Sequence, residues 1–313
     1  MSVERWNAAM RRLDDRVIVI TGAGRGIGAA VARVLAAEGA KVVVNDLGVS
    51  LDGEHDHSAP AEAVVNSIRA AGGVAVASNA DVTDHEAARG LVEQAVNEFG
   101  RLDVLINAAG ILRDRMIFNM TPDDWEAVLR VHMTGTFNTT KHAAAYWRSR
   151  KDPKANYRLI NFTSRAGLYG APSQPNYAAA KLGIVGLTYS CANALQKYGV
   201  TSNAVSPSAG TRMTESVPGD RRPAPEHDGE RSPENVAPVV AYLSSVRSSW
   251  CNGQVFSARG YQIGLHNLPE EIRQVVSTGQ WDLGEAFDLI EATFRPVVTG
   301  QRLFRTTTGL AAE

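Results

Sequence analysis

A glycine-rich segment follows the first apolar run of the chain without a break. Residues 21–28 read Thr-Gly-Ala-Gly-Arg-Gly-Ile-Gly, directly after the candidate strand Val17–Ile20, and a helix pattern follows them. Glycines in such a turn let the chain bend tightly and bring backbone N–H groups to a pyrophosphate at the helix N-terminus. The spacing is Gly-x-x-x-Gly-x-Gly rather than the commoner Gly-x-Gly-x-x-Gly, and a turn without a ligand is the alternative. The segment predicts a dinucleotide site that includes Gly22, Arg25, Gly26, Ile27 and Gly28.

Short β-branched runs alternate with helix patterns along most of the chain. The candidate strands are Val17–Ile20, Lys41–Asn45, Val74–Ser78, Leu102–Ile106, Arg158–Thr163, Thr201–Ser206 and Gln254–Phe256. The clearest helix start is Thr121-Pro122-Asp123-Asp124, which offers an N-cap, a proline at the first helical position and acids in the first turn. Such alternation is typical of a parallel sheet covered by helices on both faces. We predict an α/β fold, a Rossmann-type doubly wound parallel sheet of about seven strands, in a single domain with a C-terminal extension.

Three stretches interrupt this alternation. They are a polar insert over 48–60, a lid-like loop over 215–233 that is rich in proline and charge, and the tail over 265–313. Apolar residues of the tail indicate at least one amphipathic helix: Trp281, Phe287, Leu289, Ile290 and Phe294. We expect an N-terminal extension over 1–13, a dinucleotide-binding and catalytic domain over 14–264, and a partly helical extension over 265–313.

Composition narrows the partners and the compartment. A formal net charge of −1 gives no electrostatic reason to expect nucleic acid or an anionic membrane as a partner. No apolar run approaches the roughly 20 residues that span a bilayer, and Met1–Arg16 lacks the apolar stretch of a signal peptide. Two cysteines are too few for a disulfide framework, so we expect a cytoplasmic protein. His55 and His57 sit among acids in the polar insert, but we expect no metal site there.

Asp46 ends the second candidate strand, after the apolar run Val42–Val44. A carboxylate at this point can accept hydrogen bonds from the hydroxyls of an adenosine ribose and would repel a 2′-phosphate. An exposed turn aspartate is the alternative, and the guanidinium of Arg25 could serve a phosphate in either cofactor. The pattern favours NAD over NADP.

Tyr177 and Lys181 are four residues apart on a predicted helix, so their side chains share one face. An ammonium near a phenol favours the phenolate, and we expect it to lower the tyrosine pKa toward the working pH. Ser164 ends a candidate strand 13 residues before Tyr177, where its hydroxyl could bind a substrate oxygen as charge develops. Singly, each residue could be an ordinary surface or capping residue. Their order behind a dinucleotide turn predicts proton transfer by Tyr177.

From about Asp14 to Ile263 the chain resembles the short-chain dehydrogenase/reductases. The resemblance rests on the glycine segment at 21–28, on Asp81-Val82, on Asn107-Ala108-Ala109-Gly110, and on Ser164, Tyr177 and Lys181. It implies that Asp81, with Val82, contacts the adenine and that Asn107 stabilises the sheet beside the cofactor. It also implies that Lys181 binds the nicotinamide ribose, and that the protein is a homodimer or homotetramer.

Two departures from the family pattern distinguish this chain. His132, in Val131-His132-Met133-Thr134-Gly135, takes the place of a catalytic asparagine, and we expect it to help hold a water linked to Lys181. A helix histidine satisfied by a backbone carbonyl is the alternative. Pro207 is followed by Ser208 rather than glycine, and Thr211 comes one residue early. Pro207 and Thr211 are nevertheless the candidates for the nicotinamide side of the cofactor site.

These departures, with Gly110–Arg115 and the long insert, resemble one subgroup of the family. The subgroup comprises the (3R)-hydroxyacyl-CoA dehydrogenase domains of the type 2 multifunctional enzymes, also described as 17β-hydroxysteroid dehydrogenases. The resemblance implies either a (3R)-3-hydroxyacyl-CoA or a hydroxysteroid as substrate. Cationic side chains that could meet the phosphates of an acyl-CoA favour the former: Arg113, Arg115, Arg165 and Arg212. A catalytically silent NAD-binding scaffold or redox sensor is the alternative of another class.

Overall fold

Alternate residues of the first strand are buried on opposite faces of one central sheet. The computed structural model describes residues 11–48, 59–152, 154–210 and 229–300. In it, β1 (Val17–Thr21) places Ile18 and Ile20 in one apolar cluster and Val17 and Val19 in another. A strand whose two faces are both apolar can only lie between two layers. The β-branched runs of the sequence therefore lead to a sheet with helices on both sides.

The remaining strands follow in chain order. They are β2 (Lys41–Asn45), β3 (Val74–Ser78), β4 (Val104–Asn107), β5 (Tyr157–Phe162), β6 (Val200–Ser208), β7 (Val255–Arg259) and β8 (Gln262–Leu265). Within the described residues they form one sheet in the order β3-β2-β1-β4-β5-β6-β7-β8. The first seven pair in parallel, and β8 pairs antiparallel with β7 at the edge. The predicted Rossmann-type doubly wound fold is confirmed.

Helices cover the two faces. Their bounds are α1 (Gly26–Ala37), α2 (Pro60–Ala70), α3 (His85–Phe99), α4 (Pro122–Leu129), α5 (Gly135–Arg150), α6 (Arg165–Tyr169), α7 (Pro175–Leu195), α8 (Ala237–Ser244) and α9 (Leu283–Gly300). Apolar residues of α1, α2 and α8 share the cluster of Ile18, whereas Leu91 of α3 and Trp147 of α5 share that of Val17. The predicted start of α4 is confirmed, because Thr121 and Asp124 form a reciprocal capping box.

The strand bounds differ from the predicted ones by at most three residues. β2 and β3 have the predicted bounds, whereas Leu102 and Asp103 precede β4 instead of belonging to it. The Asp103 carboxylate accepts the N–H of Val17 at 2.9 Å, so a side chain takes the place of a ladder hydrogen bond there. The sequence did not indicate β8, a short and largely exposed edge strand. It follows a tight turn at Gly260, whose φ of +52° suits glycine.

One helical irregularity was also not predicted. Between α4 and α5 the segment Arg130–Thr134 is a π-helical turn, and His132 lies within it. A π turn adds one residue to the helical cycle and rotates the side chains that follow, so a strict 3.6-residue pattern does not reveal it. Such turns are frequent at functional sites.

The chain divides into two units, Met1–His266 and Asn267–Glu313. The second contains α9, which includes Phe287, Leu289, Ile290 and Phe294, whereas Trp281 precedes the helix. Residues 49–58 of the polar insert and 211–228, which include most of the lid-like loop, lie outside the described residues. No helix among the described residues is both long and apolar enough to cross a membrane.

Candidate active site

A cleft with a volume of about 230 Å³ runs along the carboxyl ends of the parallel strands. Open α/β sheets place their ligands at this edge. The glycine turn after β1 and the ends of β2 and β5 line it, as do the segments that follow β3 and β4. The predicted residues among its lining are Gly22, Arg25, Gly26, Ile27, Gly28, Asp46, Asp81, Val82, His132, Tyr177, Lys181 and Pro207.

The glycine turn is shaped by close backbone packing. Gly22 has a φ of +65°, and a Cβ there would lie 2.6 Å from the Cα of Ala109. A Cβ at Gly28 would lie 2.2 Å from the carbonyl oxygen of Gly22. Only glycine avoids these contacts, so the glycine turn can pack closely against both the first turn of α1 and the segment after β4. The N-cap residue Arg25 makes no side-chain capping hydrogen bond, and N–H groups at a helix N-terminus can bind an anion such as a pyrophosphate.

The carboxylate of Asp46 is fixed at the cleft by two backbone hydrogen bonds. Its Oδ2 accepts the N–H of Gly24 at 2.9 Å, and its Oδ1 accepts the N–H of Gly48 at 2.9 Å. Each carboxylate oxygen keeps a lone pair for a further donor. The position therefore fits the hydroxyls of an adenosine ribose and adds negative charge where a 2′-phosphate would lie.

Asp81 and Asn107 differ in their relation to the cleft. Asp81 lines it, and the Asp81 Oδ1 accepts the N–H of Thr83 at 2.8 Å, which holds the side chain in place. Asn107 is buried away from the lining. It donates to Asn161 at 3.0 Å and accepts from Thr139 at 2.7 Å. Asn107 therefore stabilises the ends of β4 and β5 and does not itself line the cleft in which a cofactor would bind.

Ser164 and Lys181 both lie next to the end of β5. Ser164 is the N-cap of α6, and its Oγ accepts the N–H of Ala166 at 3.2 Å. Lys181 is buried on α7, where its Nζ donates to the carbonyl oxygen of Phe162 at 2.8 Å. The same Nζ lies 5.6 Å from the ring centroid of Tyr177. Tyr177 and Lys181 thus line the cleft together, and Ser164 interacts with Tyr177 but is not itself among the lining residues.

The pKa values of this group differ from the expectation. Burial raises the pKa of Tyr177 to about 12, and interaction with Ser164 offsets only part of that rise. Burial also lowers the pKa of Lys181 to about 7. The expected lowering of the tyrosine pKa by the ammonium is therefore wrong for the protein by itself, because desolvation disfavours the charged form of both groups.

His132 lies against the same tyrosine. The ring is buried, its Nε2 lies 2.9 Å from the carbonyl oxygen and 3.3 Å from the nitrogen of Ile111, and its Nδ1 has no hydrogen-bond partner among the described residues. The shorter contact favours the tautomer in which Nε2–H donates, which leaves Nδ1 as an acceptor. Burial and the charge of Lys181 hold the pKa of His132 well below 6.5. The ring is thus neutral and satisfied by a backbone carbonyl on one side only.

The predicted substrate arginines that the structure describes lie outside the cleft lining. Arg115 is exposed and lies 3.9 Å from a carboxylate oxygen of Asp124, and Arg165 is exposed over the ring of Tyr169. Arg113 follows β4, and neither it nor the other two lines the cleft. Thr211 and Arg212 lie outside the described residues, as do His55 and His57. Within the described part of the chain, no three His, Cys, Asp or Glu side chains form a group that could hold a metal ion.

Two residues near Tyr177 were not singled out from the sequence. The carboxylate of Asp114, in the loop after β4, accepts a hydrogen bond from Gln174 at 2.8 Å, and its charge acts on Tyr177. Asp114 lies inside the distinctive segment Gly110–Arg115, which is the signal that could have drawn attention to it. Gln174 carries no comparable signal, because its role depends on the tertiary contact.

Comparison with known proteins agrees with this geometry. The family model described as short chain dehydrogenase matches residues 16–222. Hydroxyacyl-CoA dehydrogenase ChsB1 of Mycobacterium tuberculosis is 42% identical over 302 residues, which cover 92% of this chain and 90% of that protein. Peroxisomal multifunctional enzyme type 2 of Mus musculus is 42% identical over 259 residues, 82% of this chain but 33% of that longer protein.

A solved structure extends the agreement to three dimensions. A short chain dehydrogenase from Mycobacterium avium superimposes with a TM-score of 0.77 at 43% identity, covering 92% of this chain and 95% of the other. Members of this family use NAD or NADP as the redox cofactor. The chain belongs to the short-chain dehydrogenase/reductase family and is an oxidoreductase.

Proposed function

We propose that the protein is an NAD-dependent dehydrogenase that oxidises a (3R)-3-hydroxyacyl-CoA to its 3-oxo form. The observation that carries the proposal is that Asp46, Tyr177 and Lys181 line one cleft, with Ser164 interacting with Tyr177 beside it. This arrangement supplies a recognition group for a dinucleotide and a proton-transfer group for an alcohol within a single site. The relatives named as hydroxyacyl-CoA dehydrogenase and multifunctional enzyme type 2 support the substrate class.

The preference for NAD rests on Asp46. Its carboxylate is held by the N–H groups of Gly24 and Gly48, so it cannot swing away from the cleft without losing both hydrogen bonds. A phosphate on the ribose 2′ position would meet this negative charge, whereas hydroxyls can donate to it. Bound NAD would accept the hydride from the substrate carbon.

Proton transfer falls to Tyr177. During oxidation its phenolate takes the proton from the substrate hydroxyl, and in the reverse direction its phenol returns that proton to the carbonyl oxygen. Ser164 is placed to donate a hydrogen bond to the same oxygen as charge develops on it. Lys181 is anchored on the carbonyl oxygen of Phe162 with its Nζ 5.6 Å from the centroid of the Tyr177 ring, where a protonated amine would offset part of the cost that burial imposes on the phenolate.

An acyl-CoA also needs cations outside the reaction centre. Arg113 and Arg115 follow β4, and Arg165 follows Ser164, so each adjoins a loop at the carboxyl edge of the sheet. None of the three lines the cleft itself, which suits the phosphates of CoA because these lie far from the reacting carbon. A hydroxysteroid carries no phosphate and would gain nothing from these side chains.

The test is NAD reduction with (3R)- and (3S)-3-hydroxyacyl-CoAs of increasing chain length, run beside 17β-hydroxysteroids and with NADP in place of NAD. We expect saturable turnover of the (3R)-hydroxyacyl-CoA with NAD and little with NADP. Turnover of the steroid alone would change the assigned substrate from an acyl-CoA to a 17β-hydroxysteroid. Cofactor binding without turnover of any alcohol would favour a silent scaffold.

A further inference from the structure

The side chain of Asn176 joins the first turn of α7 to two other elements. Its Nδ2 donates to the carbonyl oxygen of Arg113 at 3.0 Å and to the carbonyl oxygen of Asp124 at 2.9 Å. Its Oδ1 accepts the N–H of Tyr177 at 2.8 Å. Arg113 belongs to the loop after β4, and Asp124 belongs to α4. One carboxamide therefore connects the loop after β4, α4 and the backbone of Tyr177.

The chemistry of an amide suits this position. Asn176 is fully buried, and a carboxamide carries both the two N–H donors and the acceptor oxygen that these three contacts use. The N–H of Tyr177 lies in the first turn of α7, where a helix offers no carbonyl of its own to such a group. A leucine of similar shape would make none of the three hydrogen bonds, and an ionised aspartate would have no donor for the two carbonyl oxygens.

Apolar packing holds the same elements together without fixing their relative position. Ile111 of the loop after β4, Val128 of α4 and Ala180 of α7 form a small buried cluster, and Tyr177 packs against it. Apolar contacts have no preferred direction, so they tolerate small shifts of one element past another. Hydrogen bonds weaken steeply when the distance or the angle changes. The cluster therefore accounts for the association of these elements, and Asn176 accounts for their alignment.

We propose that Asn176 is a positioning residue for the reaction: its carboxamide sets the place of Tyr177 relative to the loop after β4 and to α4. The proposal rests on the proposed function, since it gives Asn176 a part in proton transfer through Tyr177. Asn176 does not line the cleft, whereas Tyr177 and two residues of that loop, Gly110 and Ile111, do. Asn176 therefore acts through Tyr177 and not on the substrate. Displacement of a reacting group by about 1 Å can lower a rate by about 100-fold.

The experiment compares Asn176→Ala with Asn203→Ala. Asn203 is the matched control because it is also buried and also joins two backbone groups. Its Nδ2 donates to the carbonyl oxygen of Cys251 at 3.0 Å, and its Oδ1 accepts the N–H of Gln254 at 2.9 Å, outside the cleft lining.

Two measurements are made on each variant, together with its Tm. Steady-state kinetics use the alcohol that the wild type oxidises. Independently of any substrate, protein labelled with 3-fluorotyrosine is followed by 19F NMR, and the signal that disappears in Tyr177→Phe identifies Tyr177.

We expect kcat to fall by about 10-fold to 100-fold in Asn176→Ala, while KM for the alcohol and the Kd for NAD stay close to the wild-type values. The Tyr177 signal should change its chemical shift in Asn176→Ala. In Asn203→Ala we expect a lower Tm but a wild-type kcat and a wild-type Tyr177 signal. Should Asn176→Ala fail to fold, Asn176→Ser keeps a polar group in the first turn of α7 but lacks the second donor.

A wild-type kcat or an unmoved Tyr177 signal in a folded Asn176 variant overturns the proposal. So does an equal loss of kcat in Asn203→Ala, which would trace the effect to stability alone. If the wild type oxidises none of the alcohols, the proposed function fails. The 19F measurement needs no substrate and still decides whether Asn176 sets the place of Tyr177.

Discussion

The imidazole of His132 stands edge-on to the phenol of Tyr177, with ring centroids 5.1 Å apart and ring planes at 81°. The contact joins the π-helical turn to α7; His132 lines the cleft, and its buried Nδ1 has no hydrogen-bond partner among the described residues. Gly110 leaves room for this ring, because a Cβ there would lie 2.2 Å from its Cε1. The acceptor at Nδ1 is the basis of the proposed water link between His132 and Lys181.

His132→Asn and His132→Ala test this relay. Asparagine keeps a polar group of smaller size and should retain much of the activity, whereas alanine should lower kcat by about 10-fold to 100-fold by removing the acceptor. Steady-state kinetics and NAD titration together decide the matter. Equal loss in both variants would assign His132 to packing against Tyr177 instead.

The same residue predicts a pH dependence of stability. The pKa of His132 is held well below the ordinary 6.5, so the folded protein keeps the ring neutral while the unfolded chain protonates it near pH 6.5. Its contribution to stability is therefore complete above about pH 6.5 and decreases as the pH falls toward the folded-state value. We expect the Tm of the wild type to fall between pH 7 and pH 5 more steeply than that of His132→Asn. Parallel curves would show that the ring is not buried in neutral form.

Tyr177→Phe removes the transferable proton and leaves the ring in place. Proton transfer by a positioned side chain contributes roughly 100-fold to 10,000-fold, so kcat should fall by at least that range while NAD binding stays close to normal. Tyr169→Phe is the matched control, since Tyr169 is exposed and its hydroxyl lies 3.2 Å from His266, outside the cleft lining. Near-normal turnover in Tyr177→Phe would remove the basis of the mechanism.

Spacing in the sequence was enough to predict the core of the site. A separation of four residues on a helix places Tyr177 and Lys181 on one face whatever surrounds them, and β-branched runs predicted seven of the strands. Asp46 was predictable for a similar reason, because the carboxyl end of a buried parallel strand has a fixed place at the edge of the sheet.

Features that depend on packing between distant segments were not predictable. The pKa of Tyr177 rises because its hydroxyl is buried, and burial is a property of the whole fold. The π-helical turn at His132 departs from the periodicity on which sequence patterns rely. The contact between Gln174 and Asp114 joins residues 60 positions apart, and neither has a local pattern that indicates it.

Asp46→Asn tests the basis of cofactor choice. The amide keeps an oxygen for the N–H of Gly24 or Gly48 but removes the charge that opposes a 2′-phosphate. We expect the ratio of the Kd for NADP to that for NAD to fall by about tenfold or more, which corresponds to about 1.4 kcal/mol. Fluorescence titration with both cofactors measures it, and Asp123→Asn on the exposed start of α4 controls for a general loss of charge. A wild-type enzyme that binds NADP as tightly as NAD would contradict the assignment.

Gly22→Ala tests whether the glycine turn is required by space or only by backbone conformation. Gly22 and Gly100 have φ values of +65° and +80°, but a Cβ at Gly22 meets the backbone of Ala109 at 2.6 Å, whereas one at Gly100 meets nothing within 4 Å. Gly100→Ala should therefore lower the free energy of unfolding only by the cost of the left-handed conformation, about 1 kcal/mol. Gly22→Ala should lower the free energy of unfolding by about 3 kcal/mol or more, because the turn must move away from the end of β4. The same movement should abolish NAD binding. Denaturant unfolding and NAD titration of both variants separate the two contributions. Equal decreases in the free energy of unfolding would mean that the turn accommodates a Cβ with little strain. Close packing against Ala109 would then not be what fixes the shape of the turn.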